Sequence, residues 1–141
     1  MLGMYFFREG DAGMMAMGQA AVFIDGAYVD NVLRERFGGQ RIDYHLFSQC
    51  IVRQSDPTLS ILRIYYYHCL PYQANPPTPE QSQRFGQMQR FFRALRRSPR
   101  IEVREGQVAF RGVDVNGDPI FVQKRVDLLL GVDLALLAGK R

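Results

Sequence analysis

Asp25 and Asp127 are the residues of this chain whose type and setting are best suited to chemistry, because each is a carboxylate at the junction of a strand and a helix. Asp25 closes the apolar run Ala20 to Asp25 (AAVFID) and is followed by Gly26. In open α/β sheets, ligands gather beyond the carboxyl ends of the strands, so an acid there can hold a divalent cation. The competing reading is that Asp25 only caps the next helix. Asp127 opens the run Val126 to Ala138, where the positive end of a helix dipole favours an acid. Simple dipole complementation accounts for it equally well. Lys124 and Arg125 precede it and could reach a phosphate or pair with an acid.

Asp133 is a third candidate. At 100° per residue from Val126, the leucines and valines of the last helix fill one broad arc, and Asp133 falls in the middle of it. A carboxylate buried there without a partner costs several kcal/mol or more, so a cation, a metal or backbone donors must lie close by. A structural acid bonded to a neighbouring loop is the plainer of these alternatives. His45 and His68 form no catalytic pair by spacing. His68 ends a strand and could line the same rim as Asp25, or serve as a satisfied structural histidine. Tyr67 or Tyr72 could stack on a base. Arginines at 84, 90, 93, 96, 97 and 100 could follow a phosphate backbone or simply form a solvated face. No phosphate-binding glycine loop, nucleophile elbow or zinc spacing is present. Ala27, two places after Asp25, argues against aspartyl-phosphate chemistry.

The elements that must position these residues follow from pattern. Ala20 to Asp25 reads as a strand buried on both faces. Val29, Val32, Leu33 and Phe37 follow at helical spacing, and Gly38-Gly39 stops them. Asp43 caps a second helix with Leu46, Phe47, Cys50 and Ile51 as its apolar stripe. Ile61 to Leu70 is a second strand, rich in β-branched and aromatic residues. Four prolines then mark a loop to Pro79. Thr78, Pro79 and Gln81 form a capping box for a helix with Phe85, Met88, Phe92 and Leu95 inward. Ile101 to Arg104 is a third strand. Gln107 to Arg111 and Ile120 to Gln123 make a hairpin around Asn116-Gly117. This order indicates α/β architecture with a parallel central sheet.

With 141 residues the chain suits one domain, and 18 basic against 14 acidic residues give a net charge of +4. That excess suits a polyanion without requiring one. Cys50 and Cys69 are too far apart for a zinc pair and read as reduced thiols of a cytoplasmic protein. No apolar run is long enough to span a bilayer, so no membrane partner is expected. Five of the six methionines fall in the first 17 residues. Residues 1 to 18 therefore read as a poorly ordered leader, and 19 to 141 as the domain.

Together AVFIDGAYVDNVL (21 to 33), RIDYHLF (41 to 47), LRIYYYHCLP (62 to 71), RFFRALRRSPRIEVREG (90 to 106) and QKRVDLLLGVDLALLA (123 to 138) resemble the NYN domain of the LabA-like branch of the PIN superfamily. The resemblance implies a Rossmann-like three-layer sandwich and a cluster of acids that holds Mg²⁺ or Mn²⁺ for ribonuclease activity. It makes Asp25 the first-strand acid and Asp127 the helix-opening acid, with Asp133 a further acid of the catalytic group. Lys124, Arg125, Tyr28 and His68 are the residues then expected to meet RNA. The alternative is a non-catalytic RNA-binding or regulatory module on the same fold. Tyr28 departs from the family, which often has Asn there. Relatives also continue into a strand with a Gly-Asp-Ser-Asp type motif, whereas this sequence ends at Lys140-Arg141. The sheet is therefore expected to be incomplete at its C-terminus, with Val22 to Ile24 on an open edge, weak activity and self-association into a homo-oligomer.

Overall fold

The computed structural model describes residues 2–7, 18–124 and 126–138. Its elements run β1 (Leu2–Phe7), β2 (Gln19–Asp25), α1 (Gly26–Phe37), α2 (Tyr44–Ser55), β3 (Ser60–Cys69), α3 (Pro79–Arg97), β4 (Ile101–Val113), β5 (Pro119–Lys124) and α4 (Val126–Ala138). The strands form one sheet in the order β1-β2-β3-β4-β5. The three inner strands are parallel, and β1 and β5 join antiparallel at the two ends.

The alternation of β2 divides the core. Ala20, Val22 and Ile24 point to one face, where they meet Ile64 and Tyr66 of β3 and the apolar sides of α1, α2 and α3. Ala21 and Phe23 point to the other, where they meet Tyr67, Cys69 and the inner side of α4. Both sets are fully buried, which is why the sequence of β2 shows no polar alternation. Helix boundaries follow the caps. Asp43 Oδ1 accepts from the amides of His45 and Leu46, and Thr78 and Gln81 form a reciprocal capping box. Gly38 ends α1 in the left-handed region at φ 61°.

Three expectations change. The proposed leader contributes β1, whose residues Leu2 to Phe7 pair with Ile24 to Gln19; residues 8–17 lie outside the described residues. Val22 to Ile24 are therefore interior to the sheet, because β1 occupies the position expected to be an open edge. In α2, the buried side chains are Tyr44, Ser48 and Val52, while Leu46 and Cys50 are exposed. Ser48 can be buried because its hydroxyl donates to the Tyr44 carbonyl at 2.7 Å. The third strand and the first arm of the hairpin are one continuous strand, β4, whose register with β5 shifts between Phe110 and Val113.

α4 is apolar on both sides. Val126 and Leu130 are buried against the sheet, whereas Leu128, Val132 and Leu136 are exposed on the outer side. No helix among the described residues is long and apolar enough to cross a membrane. Both cysteines are free. Burial pushes the Cys69 thiol up to about 11, with the nearby Asp25 charge adding to the effect and a hydrogen bond with the Gly106 backbone opposing it. Its pKa is raised, so the neutral thiol persists at pH 8 and is both buried and unreactive. A thiol-disulfide reagent at pH 8 is expected to titrate one cysteine rapidly in the native protein, Cys50, and both in urea. Two fast equivalents from the native state would contradict this packing.

Candidate metal and nucleic-acid site

Asp25 is the last residue of β2 and lies opposite Tyr67 of β3. Its Oδ1 accepts from the Tyr28 amide at 3.1 Å, so it caps α1. The carboxylate is half-buried. Tyr28 itself is exposed and borders a shallow apolar groove with Val32, Leu33, Phe37, Ile42 and Phe47.

The other end of the site is set by the hairpin. Cys69 pairs with Gly106, and the next residue, Gln107, pairs with Lys124. β5 thus ends beside the carboxyl ends of the parallel strands, and α4 begins there. Val126 is buried in the cluster that contains Ala21, Phe23, Tyr67, Cys69 and Leu130, and Asp127, one residue on, is exposed in the first turn. Lys124 is the last residue of β5, and Arg125 lies outside the described residues. Gly131, four residues after Asp127, has nothing within 4 Å of where a Cβ would stand.

Asp133 has the partners that its place in the apolar arc demands. Tyr67 donates its hydroxyl to Oδ2 at 2.7 Å, and Arg104 Nε stands 3.2 Å from the same oxygen. The Arg104 N–H is not directed at it, so that contact is an ion pair without hydrogen-bond geometry. Arg104 also pairs with Glu102 Oε1 at 3.1 Å and lies over the Tyr65 ring, 5.5 Å from its centroid. Burial and the bond to Asp133 hold the Tyr67 phenol well above its ordinary range and therefore neutral. The arrangement fits the plainer reading of Asp133, a structural acid. Arg104 was not singled out from the sequence. The buried acid signalled that a cation was needed, but only the register of β3 with β4 identifies it.

His68 lies on the opposite face of the sheet from Tyr67. It is 8% exposed, and its Nε2 stands 3.2 Å from Asp30 Oδ2. Its Nδ1 lies 2.7 Å from the Cys69 amide nitrogen and 2.8 Å from the Cys69 carbonyl oxygen. So enclosed, His68 offers little surface to RNA and fits the structural alternative. Asp30 also lies 3.5 Å from the Tyr44 hydroxyl. Burial first, and then the Asp30 charge, push that phenol up to about 12. Tyr66 completes the group. Its ring stacks on His68, lies edge-on to Tyr44 and is fully buried. Asp30, missed in the sequence, could have been found from its position five residues after Asp25, on the side of α1 that meets β3.

The acids expected at the site are thus divided. Asp25 and the start of α4 lie toward the same end of the sheet, whereas Asp133 is paired with Tyr67 and Arg104. Among the described residues, no group of three or more His, Cys, Asp or Glu side chains is placed to hold a metal ion. Comparison with protein-family models, with curated proteins and with solved structures gives no match to this chain.

Proposed function

We propose that the chain is a PIN/NYN-type, Rossmann-like ribonuclease domain that uses Mg²⁺ or Mn²⁺, with Asp25 and Asp127 as the acids that would hold the ion. The observation that carries this reading is the position of Asp25 as the last residue of an interior parallel strand, with the acid-bearing start of α4 reached from β5 at the same end of the sheet. Mg²⁺ commonly takes one or two carboxylates and completes its shell with water and substrate phosphate, so two acids suffice where a closed protein cage is absent. When bound, such an ion activates water and neutralises charge on the phosphate. Asp25 would share its carboxylate between the cap of α1 and the ion. Asp127, exposed at the positive end of α4, would meet both ion and phosphate without a desolvation cost. Asp133 contributes by holding Tyr67 and Arg104 in place.

A second reading, a non-catalytic RNA-binding or regulatory module, is favoured by the lack of a three-donor group among the described residues. Cleavage of single-stranded RNA with Mn²⁺ separates the two. Asn caps a helix as well as Asp does, so Asp25→Asn removes charge and spares the fold. The expected result is Mn²⁺-dependent cleavage that falls at least tenfold in Asp25→Asn and in Asp127→Asn, with unchanged circular dichroism. RNA binding without any metal-dependent cleavage would favour the second reading.

A further inference from the structure

The net charge of the protein is not spread over its surface. Between Glu80 and Glu102 the chain carries six arginines and no acid. Set aside those six and twelve basic residues face fourteen acidic ones, so the rest of the chain is net negative. The whole positive excess therefore belongs to α3 and the turn after it.

The structure sorts these arginines by task. Arg96 pairs with Glu105. Arg100 donates to the Ile61 carbonyl and stands in the left-handed region at φ 63°, so it fixes the turn into β4. Arg90, Arg93 and Arg97 are all exposed and make no ion pair among the described residues. Taking Phe92, which is buried against β3, as the inward direction, helical geometry puts these three within about 60° of one another on the outer side. Neighbours at i+3 and i+4 stand about 5–6 Å apart, and like charges at that spacing repel. Gln83 and Gln87 extend the same side toward the helix start, and both are exposed.

We propose that this outer side of α3 is a second RNA contact surface, which binds the phosphate backbone through Arg90, Arg93 and Arg97. The inference rests on the reading of RNA as the partner. Two features favour a polyanion over a folded protein. Guanidinium groups form paired hydrogen bonds to phosphate that lysine cannot reproduce. Protein interfaces are anchored by buried aromatic or aliphatic side chains, and none of the exposed large hydrophobic residues lies on α3. The surface is also separate from the candidate metal site. Arg97 sits near the amino end of β4, which starts at Ile101, whereas Asp25 closes the carboxyl end of β2. A strand of RNA engaging both must run along α3, about 28 Å for its 19 residues. Contacts along that path would fix the register of the substrate before it reaches the rim.

The test is fluorescence anisotropy with a labelled 20-nucleotide single-stranded RNA, from roughly 50 to 200 mM salt. It compares the wild type with the triple variant Arg90→Gln, Arg93→Gln, Arg97→Gln, and with Arg53→Gln on α2 as a surface control. Affinity at the lowest salt is expected to drop at least tenfold in the triple variant. The slope of log affinity against log salt should shrink by about two, as three lost phosphate contacts require on a single strand. Arg53→Gln should match the wild type. A triple variant that binds within twofold of the wild type with the same slope overturns the inference, as does polyglutamate displacing the protein as readily as unlabelled RNA. The nuclease reading fails separately. If Asp25→Asn keeps full cleavage while the triple variant loses binding, α3 is the RNA surface and the metal assignment is wrong. If Asp25→Asn abolishes cleavage while the triple variant binds normally, the α3 assignment is wrong.

Discussion

Gly26→Ala is expected to destabilise the protein by about 3 kcal/mol, at the upper end of what overpacking a close-packed core usually costs. A Cβ at this position would stand 2.4 Å from both Cζ and the hydroxyl oxygen of Tyr66, and 2.8 Å from His68 Cδ2. Neither neighbour can give way easily. Tyr66 is fully buried, with Tyr44, Phe91 and Phe92 edge-on to its ring and His68 stacked on it. His68 is held by Asp30 and by the Cys69 backbone. The glycine is required here by close approach and not by a special backbone angle, so the usual reading of glycine after a strand acid as a turn residue would miss it. Gly131→Ala in α4 is the control, because open space surrounds that position; replacing a mid-helix glycine there should stabilise by about 0.5–1 kcal/mol. Urea denaturation measures both. Adding Tyr66→Phe to Gly26→Ala removes one of the clashing atoms and should recover part of the loss. A Gly26→Ala protein within 0.5 kcal/mol of wild type would mean that the Tyr66 ring can step aside.

The same junction shows what was legible in the sequence. α1 and α3 could be read nearly to the residue because their ends are chemical. Asp25 and Thr78 accept from backbone amides, and Gly38 takes a left-handed angle. The inner strands β2 and β3 were legible as unbroken apolar or aromatic runs, since helices cover both faces of the sheet. Where the reading failed, a tertiary interaction overrode a local signal. Glu105-Gly106 looked like a break between two strands, yet Glu105 is paired by Arg96 and Gly106 continues the ladder with Cys69. Leu46 and Cys50 were assigned inward because they are apolar, but the buried side of α2 carries Ser48, whose polarity is satisfied within its own helix. β1 gave no warning. A strand that adds at a sheet edge is selected by backbone pairing, and methionine crowding disguised it.

Site chemistry was less legible than fold for a definite reason. The type of a residue and its place at the end of an element can be read along one chain, as they were for Asp25 and Asp127. Which two side chains meet depends on strand order and register, which pair positions dozens of residues apart. His68 illustrates this. Its position near the end of β3 suggested the rim, but strand alternation turns it to the face where Asp30 is waiting.

Asp133 supplies the sharpest test of that distinction. Asp133→Ala is expected to cost about 2–3 kcal/mol in the absence of any metal, since hydrogen bonds to charged groups contribute about 1.5–3 kcal/mol and a buried donor left alone adds its own desolvation. The donor is the Tyr67 hydroxyl, whose residue is fully buried, while the acid's side chain is 17% exposed and Arg104 is 38% exposed. The tyrosine should therefore account for most of the effect, and the partly solvated Arg104 for less. Tyr67→Phe combined with Asp133→Ala should fall well short of the sum of the two single losses, with a coupling of at least about 1 kcal/mol. Arg104→Gln, by contrast, should couple to Asp133 more weakly. A metal-binding acid would behave in the opposite way. Its removal would relieve repulsion in the metal-free protein, leave stability unchanged or improved, and become visible only when Mn²⁺ is added. Additive losses for Tyr67 and Asp133, together with a stability difference that appears only with Mn²⁺, would return Asp133 to the catalytic group and detach it from the core.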